Sequence, residues 1–437
     1  MGARAAKTES LDGISVKYIY SACVITKTKD VTVLHDPWFT EAIYDGSWFQ
    51  FPKITNPLDS IGDVDYIFVS HIHPDHYDSE FLREYFKKFG EKKIIIANHQ
   101  PNHLLGKMRG DGFIPIILND VLTIGKTSIE IIPHKTDSIS DVDSAIVIKY
   151  FGEDKIHCVV NVNDIIFDDT MRALVKNRAN EIDILLCGYT GAGPYPQTYF
   201  SDDDEQLEIE ARKKKFSFFE RYKILTNTLG ARVNIPFAGK YILGGKLSHL
   251  NFLRGVADPV EVLEFDKHAV ILADDGGEID TLTFKADKIR STKYDVKEIE
   301  KVIGGLKNKK MDYERLIALE EINQLPIKRL LYSATKNAVS RSELEHDYFF
   351  CIKLQTDEYA VINANKNANE FISYITEYQK LPTPRSEISI DMRYLFGLIT
   401  NVYHWNNAEV GSQFYTKRIP NTFNRKAQTF LNFLAIN

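Results

Sequence analysis

The sequence predicts an α/β fold, because apolar runs typical of buried strands are interspersed with amphipathic helical segments. The clearest example begins with VDYIFVS at residues 64–70, a continuous apolar run typical of a strand that is buried on both faces. An amphipathic segment follows at 79–90 and ends in glycine, as helices often do, and KKIIIAN at 92–98 supplies the next buried strand. Strand, helix and strand within about thirty residues form a βαβ unit.

The segment before this unit is predicted to consist of strands. Residues 14–35 contain ISVKYIYSACVIT and VTVLH, which are expected to form two strands separated by a Lys-Asp turn, because SVKYIYSACVI alternates in a strand-like manner. Asp36-Pro37-Trp38 follows directly. Proline cannot donate to a β-ladder, so the second strand is expected to end there.

Strands and helices are predicted to continue to about residue 290. Four apolar runs are expected to be strands: 145–151, 155–162, 183–189 and 231–239. Helices are predicted near 169–178 and over 203–229, where aromatic residues recur at helical spacing. Residues 269–284 are expected to form a hairpin around Asp274–Gly277.

The chain changes character near residue 290, which predicts a catalytic domain at 12–290 and an accessory α+β region at 291–437. Lys-rich helical segments are expected at the start of the second region, interrupted at Gly304-Gly305. DYFFCIKLQTDEYAVINA at 347–364 predicts a hairpin, and the remainder is expected to be helical.

The composition is ordinary for a globular protein, and the net charge disfavours a nucleic-acid substrate. The chain has 437 residues, of which 44% are hydrophobic and 26% charged, with a formal net charge of -6. This charge argues against non-specific nucleic-acid binding, which usually needs a basic surface. No apolar run is long enough for a membrane span and the N-terminus lacks a signal-peptide pattern. Four separated cysteines without a CxxC pair predict reduced thiols and a cytoplasmic location.

The segment SHIHPDH carries the chemistry that the sequence predicts. It places His71, His73, Asp75 and His76 directly after a buried strand. His71 and His73 are two residues apart, so in extended backbone their rings lie on one side, while Pro74 redirects the next two side chains to an adjacent position. Imidazole and carboxylate ligands suit Zn, Fe or Mn. The chain has only 12 histidines, so a histidine-rich surface loop without metal is an improbable explanation.

HIHPDH is similar to the HxHxDH signature of the metallo-β-lactamase superfamily. The resemblance implies an αββα sandwich with a one- or two-metal site at the strand ends. It also implies that His71 and His73 hold the first metal, and that Asp75 and His76 hold the second.

Other segments resemble one branch of that superfamily. LHDPWF and GSWFQFP precede the motif, and CGYTGAGPYPQTYF, IPFAGKY and WNNAEVGSQFYTKRIP follow it. They are similar to segments of the catalytic domain of the CMP-N-acetylneuraminate hydroxylases, and the ascorbate-phosphate lactonases share a version of the DPW element. The resemblance covers most of residues 15–437, but only in patches.

The resemblance also suggests further ligands by position. Asp164, at the end of NVND, fits a bridging carboxylate, and Asp75 or Asp164 could orient a nucleophile. His249 in KLSHLN fits the last histidine. His134 is the candidate third ligand of the first metal, although it lies farther from the next strand than expected. Nearby carboxylates could take its place: Asp137, Asp141 or Asp143.

The first functional hypothesis is a hydrolase with two divalent metal ions, zinc being preferred over iron or manganese. A metal-bound hydroxide would attack an ester, lactone or phosphoester bond of a small polar substrate linked to a sugar or nucleotide. The second hypothesis is a non-haem iron oxygenase of the CMP-N-acetylneuraminate hydroxylase type. That family uses a Rieske cluster bound by Cys-x-His pairs. No such pair occurs in this sequence, so the activity would need a separate redox partner.

A third hypothesis is a non-catalytic binding protein with a degenerate metal site, motivated by the loosely placed His134 and His249. Oligomeric state stays open in all three hypotheses, and a homo-oligomer is compatible with each.

Overall fold

The strands of this protein are given by a computed structural model that describes residues 11–134, 142–355 and 357–436. In chain order they are β1 (Ser15–Tyr20), β2 (Cys23–Lys27), β3 (Thr32–His35), β4 (Trp48–Phe49), β5 (Tyr66–Phe68), β6 (Lys93–Ala97), β7 (Ile116–Leu118), β8 (Leu122–Ile124), β9 (Thr127–Pro133), β10 (Ser144–Phe151), β11 (Ile156–Asn161), β12 (Ile184–Gly188), β13 (Val233–Phe237), β14 (Ile242–Leu243), β15 (Gly277–Asp280), β16 (Phe349–Lys353), β17 (Tyr359–Asn363), β18 (Ile372–Ile375), β19 (Arg385–Ser389) and β20 (Tyr415–Ile419).

The helices flank these strands. They are α1 (Ile43–Gly46), α2 (Pro57–Ile61), α3 (Ser79–Phe89), α4 (His103–Gly110), α5 (Asp169–Ala179), α6 (Glu205–Leu229), α7 (Val296–Leu306), α8 (Asp312–Leu316), α9 (Ile327–Ser340), α10 (Met392–Ile399), α11 (Trp405–Val410) and α12 (Arg425–Leu431). Short 3₁₀ helices occur at Gly245–Phe252, Pro259–Glu264, Leu319–Gln324 and Tyr378–Lys380. Among the described residues, none of the helices combines the length and the apolar composition that crossing a bilayer requires.

Two β-sheets share one apolar core. The first has the order β15-β1-β2-β3-β5-β6-β7 and the second the order β13-β12-β11-β10-β9-β8. Phe68 and Ile95 of the first sheet belong to the same buried cluster as Ile146 and Ile184 of the second. Helices α3 and α4 pack on the outer face of the first sheet, and α5 and α6 pack on that of the second. The layers are therefore αββα, which confirms the predicted fold class.

The predicted two strands at 14–35 are three in the structure. Ser21 has a φ of 50°, which reverses the chain, and β1 and β2 pair antiparallel on either side of it. The sequence alternation continues through this turn, because both strands of a tight hairpin keep the same period of two. The prediction of a single long first strand was therefore wrong.

The predicted hairpin at 269–284 is also wrong. Residues Gly277–Asp280 form β15, which pairs antiparallel with β1 at the edge of the first sheet. Leu272 instead bridges to Ile289. β15 therefore pairs with the edge strand β1, which is distant in sequence, and not with residues 269–273 as the predicted hairpin requires. Gly304-Gly305 does not interrupt a helix either, because α7 runs through both residues on an exposed surface.

The second region contains a five-stranded sheet of order β18-β17-β16-β19-β20. Its β16–β17 pairing confirms the hairpin predicted at 347–364. The expectation that the remainder is helical is confirmed by α10, α11 and α12, but it was wrong for β18, β19 and β20, which extend this sheet on both sides. The largest buried cluster joins this region to Trp38 and Trp48 of the first region. A domain boundary at 290/291 stays a prediction.

Candidate metal centre

The strand order brings the histidine motif next to Asp36. β3 and β5 are parallel neighbours, so the segments that follow them leave the sheet at the same edge. The backbone N–H of Ser70 donates to Asp36 Oδ1 at 2.7 Å, and the Ser70 hydroxyl donates to Asp36 Oδ2 at 2.7 Å. Asp36 is fully buried and its backbone N–H donates to the Phe68 carbonyl. These bonds fix the start of the motif on the sheet.

His76 is surrounded by carboxylates. Its Nδ1 lies 2.9 Å from Asp36 Oδ2, and its Nε2 lies 3.5 Å from Asp75 Oδ2 and 3.4 Å from Asp164 Oδ2. The ring is fully buried, and Nε2 has no hydrogen-bond partner among the described residues. Burial disfavours the imidazolium, but the surrounding carboxylates outweigh it and hold the pKa of His76 well above its ordinary value.

His71 and His73 point toward each other. His71 Nε2 lies 2.8 Å from His73 Nδ1. The other nitrogens are also engaged: His71 Nδ1 lies 2.9 Å from Ser70 Oγ, and His73 Nε2 lies 2.7 Å from Asn406 Oδ1. Burial, reinforced by the neighbouring imidazoles, holds the pKa of His71 well below its ordinary value, so the ring is neutral.

One phenol, that of Tyr44, and two carboxylates, those of Asp143 and Asp164, also border these rings. Tyr44 Oη donates a hydrogen bond to Asp75 Oδ1. Asp143 Oδ1 lies 3.3 Å from His71 Nδ1, and burial together with the Asp164 charge raises the pKa of Asp143. Asp164 differs from Asp143 because 42% of its side chain is exposed, and the cationic form of His76 lowers its pKa despite the desolvation.

The donor set fits divalent metal ions. His71, His76 and Asp164 offer ligand atoms that lie within 4.8 Å of one another. His76 Nε2 has no hydrogen-bond partner among the described residues and faces the carboxylates of Asp75 and Asp164. A metal cation at this point would bind the nitrogen and offset the two buried negative charges. Imidazole nitrogens mixed with carboxylate oxygens suit Zn, Fe and Mn.

His249 is not brought to this cluster. Its Nε2 lies 3.0 Å from Tyr415 Oη and 3.8 Å from Asp202 Oδ2, on a side chain that is 43% exposed. The 3₁₀ helix that carries it turns this side chain toward β20. The ring that the resemblance assigned to the metal centre therefore contacts the five-stranded sheet.

His134 and Asp143 face each other across the β9–β10 connection. The backbone N–H of His134 donates to the Asp143 carbonyl at 2.9 Å, and His134 is buried. Of the alternatives to His134, Asp143 has its carboxylate next to His71. Asp137 and Asp141 lie outside the described residues. The identity of the third ligand of the first metal stays a prediction.

Sequence reasoning missed four residues that contact the motif. Asp36 and Ser70 flank the buried rings, Tyr44 holds Asp75, and Asn406 contacts His73. The Asp36-Pro37 pair at a strand end was a detectable signal for the first of them. Asn406 lies 333 residues from His73, and no local pattern indicates such a contact.

Two cavities meet at the motif, and Tyr44, His73 and Asp143 line both. The larger, of about 1430 Å³, lies toward the second region and includes Asn406. The smaller, of about 420 Å³, is lined by Asp164 and by the glycine-rich residues 188–193. The candidate metal centre is therefore accessible to small molecules from two sides.

Known proteins are similar to parts of this chain. A protein of Mycolicibacterium smegmatis named as a Rieske 2Fe-2S iron-sulfur protein is 28% identical over 261 residues, which are 57% of this chain and 48% of that protein. The cytidine monophosphate-N-acetylneuraminic acid hydroxylase of Mus musculus is 22% identical over 251 residues, 52% of this chain and 39% of the hydroxylase. The chain spans about half the length of the curated relatives it matches.

Among solved structures, Igni18, a metallo hydrolase from Ignicoccus hospitalis, is similar with a TM-score of 0.41 and 17% identity, covering 62% of this chain and 99% of that one. A family model described as a beta-lactamase superfamily domain matches residues 15–192, which contain both the histidine motif and Asp164. The matched residues span β1 to β12, which supply most of the strands of the two sheets in the αββα layers.

Proposed function

We propose that this protein is a metal-dependent hydrolase that cleaves an ester, lactone or phosphoester bond in a small polar substrate. The observation that carries the proposal is the buried Nε2 of His76, which faces Asp75 and Asp164 where two cavities meet. The four buried thiols are compatible with the cytoplasmic location expected from the sequence.

Two metal positions follow from the donor set. His71 and His73 would hold the first ion, with Asp143 or His134 as the third ligand. Asp75, His76 and Asp164 would hold the second. When bound, such ions lower the pKa of a coordinated water to about 7 and neutralise charge on the leaving oxygen.

Other residues around the site would orient the attacking water, position a ligand and admit the substrate. Asp164 is the most exposed of the three site carboxylates that line the smaller cavity, so it can orient an attacking water there and accept its proton. Tyr44 holds Asp75 in place through its hydroxyl. The glycines at 188–193 let a substrate approach the backbone in the same cavity. A sugar- or nucleotide-linked substrate would have room in the larger one.

The test combines metal analysis with turnover. Protein purified without added metal is assayed for bound Zn, Fe and Mn, and then with panels of lactones, esters and phosphodiesters. We expect about two ions per chain and turnover of at least one class. Asp164→Asn should reduce turnover at least 100-fold, while the matched change Asp154→Asn, in an exposed loop, should not. Inertness of the metal-loaded protein toward all panels contradicts the proposal.

A second candidate is an iron-dependent hydroxylase. It is favoured by the carboxylate-rich donor set, in which Asp75, Asp143 and Asp164 accompany the imidazoles, and by the similarity to a curated hydroxylase. These 437 residues contain no Cys-x-His pair, so this candidate needs an electron donor outside them. Bound iron with oxygen uptake on addition of a chemical reductant supports this candidate. Zinc without oxygen uptake eliminates it.

A non-catalytic binding role is the third outcome of the same experiment. Metal well below one ion per chain, together with a melting temperature that chelation does not change, would support that role and contradict both enzyme candidates.

A further inference from the structure

Asn406 joins the second region of the chain to the histidine motif. It is the second residue of α11, is half-buried, and its Oδ1 lies 2.7 Å from His73 Nε2. α11 is firmly held, because Trp405 is buried and its indole N–H donates to the Leu434 carbonyl at 2.8 Å. The His404 side chain caps the helix at the backbone N–H of Asn406. The amide of Asn406 is therefore presented to His73 by a fixed element.

The contact decides which nitrogen of His73 carries the proton. An amide oxygen only accepts hydrogen bonds, so Nε2 of His73 must be the donor. In the form of the ring that binds a metal, Nδ1 then keeps its lone pair. That Nδ1 is the atom 2.8 Å from His71 Nε2.

The same reasoning fixes the proton of His71. The Ser70 hydroxyl has one hydrogen, which it donates to Asp36 Oδ2 at 2.7 Å. Ser70 Oγ therefore accepts from His71 Nδ1 at 2.9 Å, which leaves His71 Nε2 with a lone pair. Two lone pairs then face each other across 2.8 Å, which is unfavourable unless a cation lies between them.

We propose that Asn406 is a positioning residue of the metal centre, which holds His73 with Nε2 protonated and Nδ1 aimed at the first metal beside His71. Outer hydrogen-bond acceptors of this kind fix the tautomer and orientation of metal-binding imidazoles. The inference rests on the proposed function, because it takes His71 and His73 to be ligands. It assigns part of the metal centre to the region after residue 290.

The first experiment measures metal affinity by competition with a chromogenic chelator, using Zn²⁺ and Fe²⁺. Asn406→Leu keeps the approximate shape and the helix but removes the acceptor. We expect it to weaken binding by about 10–100-fold. Asn406→Asp retains an acceptor oxygen and should stay close to wild type. Asn407→Leu, the same change at the next position of α11 and in the lining of the same cavity, should leave the affinity unchanged.

The second experiment reads the tautomer in zinc-loaded wild-type protein, where a cation is present beside the two facing lone pairs, and uses a variant only to assign one signal. Nitrogen NMR of histidine-labelled protein, assigned by loss of one ring signal in His73→Gln, should show His73 protonated at Nε2. A proton at Nδ1 overturns the inference. So does metal affinity that Asn406→Leu leaves intact, or that Asn407→Leu reduces equally. Absence of metal binding by wild-type protein overturns the proposed function itself.

Discussion

At the scale of single residues, one buried carboxylate organises the motif. Asp36 accepts hydrogen bonds from the backbone and hydroxyl of Ser70 and lies 2.9 Å from His76 Nδ1. Burial raises its pKa, although His76 and these hydrogen bonds counteract the shift. A carboxylate in this position fixes the ring of His76 so that Nε2 faces the other ligands.

Asp36→Ala should damage both stability and metal binding. It leaves the Ser70 N–H and the His76 ring buried without their acceptor. We expect a loss of roughly 3–5 kcal/mol in the free energy of unfolding and about 10–100-fold weaker metal binding. Chemical denaturation and chelator competition measure the two effects. The control is Asp65→Ala, which removes an exposed carboxylate that accepts from Thr32 N–H. Equal losses in both variants would contradict the assigned role of Asp36.

The buried Glu409 predicts how the free energy of unfolding changes with pH. Burial raises its pKa to about 8 from an ordinary value of 4.5, although Arg418 and a hydrogen bond from Gln428 oppose the shift. Between these two values the folded protein keeps a proton that the unfolded chain has lost. The free energy of unfolding should therefore fall as pH rises through this window.

Glu409→Gln tests this dependence because it removes the titration while keeping the shape. Urea denaturation between about pH 5 and about pH 8 should give a smaller decline in the free energy of unfolding for the variant than for wild type. Parallel declines in the two proteins would show that Glu409 does not carry the effect.

At the scale of elements, a strained segment holds Tyr44 on the metal centre. Ala42, Tyr44 and Asp45 have φ values of 61°, 54° and 61°, in the left-handed region that costs roughly 1 kcal/mol per non-glycine residue. The second region compensates this strain. Gln413 Nε2 donates to the carbonyls of Tyr44 and Asp45 at 2.9 Å and 3.3 Å, and Tyr394 Oη donates to Asp45 Oδ2 at 2.6 Å.

Gln413→Leu should release this segment. The variant removes the donor 2.9 Å from the Tyr44 carbonyl, which keeps only the longer bond of 3.3 Å from the Ser47 backbone N–H, so we expect a loss of about 1 kcal/mol in the free energy of unfolding. Turnover should fall further than stability alone explains, because the Tyr44 hydroxyl no longer holds Asp75. Thermal denaturation and kcat measure the two effects. Gln206→Leu, at the exposed start of α6, is the matched control and should change neither.

At the scale of the whole molecule, metal removal should lower stability. Metal ions bind the folded chain, where the ligands converge, more tightly than the unfolded one. A ligand at one hundred times its Kd stabilises by about 2.7 kcal/mol. Chelation of the purified protein should therefore lower the Tm by roughly 2–6 °C. Re-addition of the metal should restore it, and a Tm that chelation leaves unchanged would contradict a bound metal.

Elements defined by local patterns could be predicted from the sequence, and elements defined by distant pairing could not. The βαβ unit around the motif was predicted because its strands are continuous apolar runs and its helix is amphipathic, both local signals. β18 was missed although its partner β17 directly precedes it, whereas β19 was missed because it pairs in parallel with β16, and β20 because α10 and α11 separate it from its partner β19. The same limit applies to β15, whose pairing with β1 spans most of the first region.

The sequence by itself determined an α/β fold and the cluster of imidazole and carboxylate side chains, because the apolar periods and the spacing in HIHPDH are set over a few residues, and the αββα class came from the resemblance of HIHPDH to a family signature. Tertiary structure alone decided that Asp36 and Asn406 contact His76 and His73, and that His249 packs against Tyr415. Such contacts depend on the order of strands in a sheet and on the docking of α11. They are selected by the free energy of the whole packed chain rather than by any local pattern.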